Sequence, residues 1–116
     1  MRIEKRNGRI AEQVREIMSE VILKRMKDPR LGFITITRVS VTDDLKFAKV
    51  YYSVYGGEKE RKGTEAALSH SNAFLQRTLQ GKLKIRTSPK LVFTYDPSIE
   101  HAFVIDEIIR KIHEEK

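Results

Sequence analysis

Apolar residues recur every three or four positions through the first quarter of the chain. Ile10, Val14, Ile17, Met18, Val21, Ile22 and Met26 therefore share one stripe of a helix. Asn7 is the expected N-cap, and Asp28-Pro29 the expected stop, because a residue before proline avoids the α region. The opposite face carries Glu12, Glu16, Glu20, Lys24 and Lys27, several at i,i+4 spacing, as on an ordinary solvated helix. After Gly32 the period drops to two. Phe33–Val41 is rich in β-branched residues, but Ile34 and Ile36 share one parity and Val39 and Val41 the other, so a bulge is expected near Thr37-Arg38. Thr42-Asp43-Asp44 supplies turn chemistry. A second strand is expected over Leu45–Tyr55, with Ala48, Val50, Tyr52 and Val54 alternating against Lys46, Lys49, Tyr51 and Ser53. So short a turn makes the two strands antiparallel neighbours.

Helical spacing returns from about Glu58 to Leu83, with Ala67, Leu68, Ser71, Leu75, Leu79 and Leu83 on one side. The small, weakly helix-forming run Ser71-Asn72-Ala73 marks an expected kink. Leu91–Tyr95 predicts a third strand after Thr87-Ser88-Pro89. Asp96-Pro97-Ser98 is placed to cap a last helix carrying Ile99, Phe103, Ile105, Ile108, Ile109 and Ile112. One three-stranded sheet with helices on one face makes an α+β fold in two layers. The order helix, strand, strand, kinked helix, strand, helix is that of a type II KH-like domain, and residues 1–116 are expected to form a single one.

Composition excludes several chemistries. With no cysteine there is no disulfide scaffold, thiolate metal site or cysteine nucleophile. No apolar run is long enough for a signal peptide or a membrane span, and a cytoplasmic protein is expected. Gly57 and Gly63 are spaced one residue too far for a phosphate loop, and Thr64 follows where lysine is required. His70, His101 and His113 lie far apart, so neither a metal ligand set nor an acid–base pair is legible. No catalytic residue, metal or cofactor is expected; the chain does not read as an enzyme.

Charge changes the picture. The net charge is +7, and residues 1–97 carry 20 Lys/Arg against 11 Asp/Glu. From Ala66 to Tyr95 there is no carboxylate, while Arg77, Lys82, Lys84, Arg86 and Lys90 all lie there. Arg6 and Arg9 add to a second basic group at the start, where Arg2, Lys5, Arg6 and Arg9 face only Glu4. Such a distribution suits a polyanion. Phe74, Phe93 and Tyr95 are expected in the core, which leaves recognition to shape and backbone phosphate rather than to bases.

Several stretches in fixed order resemble the ribosome-binding factor A family over nearly the whole chain. They are Lys27-Asp28-Pro29-Arg30-Leu31-Gly32-Phe33-Ile34-Thr35-Ile36-Thr37, then Val39, Asp44-Leu45, Ala48-Lys49-Val50-Tyr51 and Ser53, then Phe74-Leu75, Leu83, Ile85-Arg86, Pro89-Lys90-Leu91, Asp96, Ser98 and Ile99. The resemblance implies a monomeric KH-like domain that binds free 30S subunits. It implies assistance to late maturation and 16S rRNA processing, with contact to 16S rRNA near its terminal helices. It also implies an Ala-x-Gly kink in place of the usual G-x-x-G loop. Here Ser71-Asn72-Ala73 occupies that place, so either the kink keeps ordinary helical angles or Asn72 takes the left-handed conformation. Gln76 stands where the family commonly has arginine. Amides near Phe74 and Leu75 would face a phosphate at the head of the second helix half. The candidate RNA-binding residues are thus Arg6, Arg9, Ser71, Asn72, Ala73, Arg77, Lys82, Lys84, Arg86 and Lys90. The alternatives are a generic single-stranded RNA-binding KH module, disfavoured by the missing G-x-x-G, and a small phosphoester hydrolase using His70.

Overall fold

The computed structural model describes residues 2–97. The element order is α1 (Arg2–Arg25), β1 (Phe33–Val41), β2 (Phe47–Tyr55), α2 (Glu58–His70), α3 (Asn72–Lys82) and β3 (Lys90–Tyr95). The expected last helix lies outside the described residues. The three strands form one sheet in the order β1-β2-β3, antiparallel between β1 and β2 and parallel between β2 and β3. A parallel neighbour needs a crossover, and α2 and α3 supply it.

The helices cover one face of the sheet. Ile10, Val14, Met18, Val21 and Ile22 of α1 are buried, as their spacing predicts, against Ile36, Val41, Ala48, Val50, Tyr52, Val54 and Leu91 of the strands. Leu68, Leu75, Leu79 and Leu83 complete the core, while Phe74, Phe93 and Tyr95 pack half-buried at its margin. The parity change in β1 is a bulge: the register shifts between Ile36 and Arg38, leaving Thr37 unpaired in the ladder. Its hydroxyl donates instead to Asp96 Oδ2 at 2.9 Å.

Four local expectations are corrected. Asn7 is not an N-cap; it lies inside α1, and its Nδ2 donates to Asp43 Oδ1 at 2.9 Å, tying the helix to the hairpin turn. Helix α1 ends at Arg25, four residues before Pro29. There Asp28 accepts the Arg30 amide (2.9 Å) and pairs with its guanidinium (2.8 Å), so Asp28-Pro29-Arg30 is a self-locked turn. Strand β2 starts at Phe47 rather than Leu45, because Leu45 sits in the turn at φ 61°. That left-handed conformation costs a non-glycine residue roughly 1–2 kcal/mol. It is held by Leu45 N–H donating to Thr42 O (2.8 Å) and by the Thr42 hydroxyl accepting from the Phe47 amide (3.1 Å). Strand β3 begins one residue early, at Lys90.

Gly63 has a packing role within α2. A Cβ there would approach the Arg30 carbonyl to 2.9 Å. One residue on, the buried Thr64 hydroxyl accepts the Gly32 amide at 2.9 Å. The glycine spacing that misses a phosphate loop is therefore where α2 crosses the chain entering β1.

Candidate nucleic-acid interface

The kink forms without a left-handed residue. Ser71 takes φ −93°, ψ 6°, in the sparsely allowed bridge region, and Asn72 and Ala73 have ordinary negative φ. Hydrogen bonds run through the bend, from the Ser71 amide to the Ala67 carbonyl (3.0 Å) and from the Leu75 amide to the Ser71 carbonyl (2.9 Å). Leu75 is thus committed to the helix, which corrects the expectation that its amide faces a ligand. The amides that a helix start leaves over belong to Asn72, Ala73 and Phe74. No acidic residue stands in the first turn of α3, so its positive dipole end is not neutralised locally.

Beside this helix start lies an open groove of about 1120 Å³. Asn72, Ala73, Gln76 and Arg77 of α3 line it on one side, with Ile85, Arg86 and Ser88 of the α3–β3 loop and Lys90 at the start of β3. Arg6 of α1 also lines it. The hairpin turn contributes Leu45, Lys46 and Phe47. Among the described residues, five cations line the groove against one carboxylate, Asp44. Asp44 is held below the ordinary carboxylate range, first by the Thr42 hydroxyl and then by the Lys46 amide, which donates to it at 3.0 Å. Its charge serves the turn.

Of the ten sequence candidates, Arg6, Asn72, Ala73, Arg77, Arg86 and Lys90 meet in this groove. Arg9, Lys82 and Lys84 are exposed but do not line it. Ser71 opens instead onto a hollow with Lys27, Asp28, Pro29, Arg30 and His70. His70 is therefore separated from the cationic segment it was considered to serve. No group of three or more His, Cys, Asp or Glu residues that could hold a metal ion occurs among the described residues.

Gln76 was visible in the sequence only as a departure. In the fold its Nε2 donates to Pro89 O (2.8 Å) and Ser88 Oγ (3.3 Å), and its Oε1 accepts the Leu91 amide (2.9 Å). Gln80 accepts from both the Ser88 amide and hydroxyl, at 2.9 and 2.7 Å. Two glutamines of α3 thus pin the loop that carries Arg86 and leads into Lys90 of β3. Lys46 and Phe47 were missed as groove residues, since nothing local says that the hairpin turn lies beside α3.

Fold and groove together define a KH-like α+β protein of the nucleic-acid-binding class. A family model described as ribosome-binding factor A matches residues 6–109. Ribosome-binding factor A of Geobacter sulfurreducens is 43% identical over 111 residues, which is 96% of this chain and 94% of that one. The chain belongs to the ribosome-binding factor A family. The crystal structure of the Thermus thermophilus ribosome-binding factor A superposes with a TM-score of 0.68 at 26% identity, over 77% of this chain and 93% of that one. A Thermus thermophilus homology model fitted into the cryo-EM map of a complex with the 30S subunit gives a TM-score of 0.63 at 26% identity, over 75% and 91% of the two chains.

Proposed function

We propose that this protein binds free 30S ribosomal subunits in the cytoplasm and assists their late maturation and 16S rRNA processing without cutting RNA itself. It would act as a monomeric single domain, contacting 16S rRNA near its terminal helices. The observation that carries this is the groove in which Arg6, Lys46, Arg77, Arg86 and Lys90 converge on the uncapped start of α3. Backbone amides at a helix start suit one phosphate, and the arginines are built for bidentate contact to its neighbours. Family membership and the relative fitted into a 30S complex support the choice of a ribosomal polyanion over any other.

Sucrose-gradient sedimentation tests the reading. The protein should travel with free 30S subunits and be depleted from 70S ribosomes and polysomes. Equal distribution among these fractions would overturn it. No helix among the described residues is long and apolar enough to cross a membrane.

A further inference from the structure

The helices cover one face of the sheet, and the residues pointing the other way form an unusual set. Phe33 is 77% exposed, Tyr55 72% and Phe47 46%. These rings are not scattered. Phe33 and Tyr55 are direct cross-strand partners, and Phe47, Tyr51 and Tyr55 follow one another at four-residue intervals along the same side of β2. At about 3.4 Å per residue they mark a track of roughly 27 Å. Between them stand cations. Arg38, the cross-strand partner of Tyr51, holds its guanidinium 3.9 Å from that ring's centroid. Lys49 lies between Phe47 and Tyr51, and Lys90 pairs with Phe47 from β3. Among the described residues, the one carboxylate at this face is Asp96, just past β3, which accepts the Thr37 hydroxyl at 2.9 Å across the sheet.

We infer that this aromatic sheet face is a stacking platform for unpaired bases of a single RNA strand, contiguous with the phosphate-binding groove. Two observations select RNA as the occupant. The face is aromatic and net cationic, with Arg38, Lys49 and Lys90 against Asp96, the combination that binds a strand through base stacking and phosphate neutralisation together. It is also continuous with the groove, because Phe47 and Lys90 belong to both surfaces. A strand whose phosphates enter the groove would pass onto β2 at Phe47 and meet the Arg38–Tyr51 pair and then the Phe33–Tyr55 pair. The inference rests on the RNA-binding reading above and adds a part of the strand that is held by its bases.

The test uses the full chain and two probes: a single-stranded oligoadenylate RNA and an abasic oligomer of the same length and charge. The double variant Phe33→Thr/Tyr55→Thr keeps β propensity and removes two rings that lie outside the groove. Its affinity for oligoadenylate should fall by roughly 5- to 150-fold per base unstacked. The abasic oligomer should lose far less. Phe33→Tyr, which keeps a ring, should bind oligoadenylate as the parent does. The groove variant Arg77→Ala/Arg86→Ala should weaken both probes. If that variant loses both while the threonine variant loses neither, the stacking platform is wrong and the groove reading stands. If the parent binds neither probe, both readings fail. An equal loss on both probes with a lowered Tm would mean that another part of the chain covers the face. Loss of 30S co-sedimentation with oligoadenylate binding intact would assign it to a protein partner. Either of these last results overturns the inference.

Discussion

Asp28 shows how much one residue of a family signature owes to local chemistry. Its carboxylate is held down to about 2, chiefly by the Arg30 guanidinium hydrogen bond and next by the Arg30 amide. The folded value lies below the ordinary 3.8, so the stabilisation is complete above about pH 5 and is lost as the pH falls through about 2. Asp28→Asn keeps an acceptor for the amide but not the charge. Its stability deficit relative to the parent should therefore shrink as the pH is lowered from 5 to 2, followed by urea midpoints; a deficit independent of pH would contradict this origin. Ala73 tests function at the same scale. It is exposed, lines the groove and occupies the first turn of α3. Leucine is almost as good a helix former as alanine, so Ala73→Leu should move stability by less than ~0.5 kcal/mol. Its bulk at the helix start should weaken binding to 30S subunits at least about fivefold, roughly 1 kcal/mol. Unchanged binding would make the kink a purely structural feature.

At the scale of elements, the α3–β3 loop is shaped by side chains of α3. Gln76→Ala would strip the Leu91 amide and the Pro89 carbonyl of their partners in a half-buried setting. Each orphaned group costs about 1–3 kcal/mol, less where water can reach it, so a loss of roughly 2 kcal/mol by denaturant unfolding is expected. Faster hydrogen exchange at the Leu91 amide is the specific readout, and unchanged protection there would remove Gln76 from this role. The elements themselves were largely legible beforehand. The apolar stripe of α1, the bulge in β1 and the break near Ser71 all follow from periodicity and propensity, which act within a few residues. The boundaries at Asn7 and Leu45 differ from the periodic pattern for two distinct reasons. Asn7 is engaged by Asp43, 36 positions away, and Leu45 accepts a strained φ because the turn's hydrogen bonds hold it there.

For the whole molecule, the groove makes a quantitative claim about salt. Five phosphate contacts, from Arg6, Lys46, Arg77, Arg86 and Lys90, imply a log–log slope of affinity against salt of about −3.5 to −4.5. Arg77→Ala/Arg86→Ala should make that slope shallower by about 1.4 to 1.8, measured on rRNA fragments or on subunits. Lys82→Ala/Lys84→Ala, equal in charge but outside the groove, should change it by less than half as much. Melting temperature should barely move for either pair, since exposed cations among like charges contribute little to folding. Equal slope changes from the two pairs would show that net charge, and not the groove, governs binding.

By itself the sequence determined the classes of element, the faces of each that are buried and the carboxylate-free stretch from Ala66 to Tyr95. These are properties of periodicity and composition, and they survive any arrangement of the elements. Only the tertiary structure decided which cations act together. It brought Arg6, Lys46, Arg77 and Arg86 from four segments into one groove and left Lys82 and Lys84 out. It also decided that Phe33, Phe47 and Tyr55 stay exposed. An alternating pattern says that a side chain points away from the core, but not whether another layer covers it. That depends on the parallel docking of β3 beside β2, which sends α2 and α3 to the face already occupied by α1.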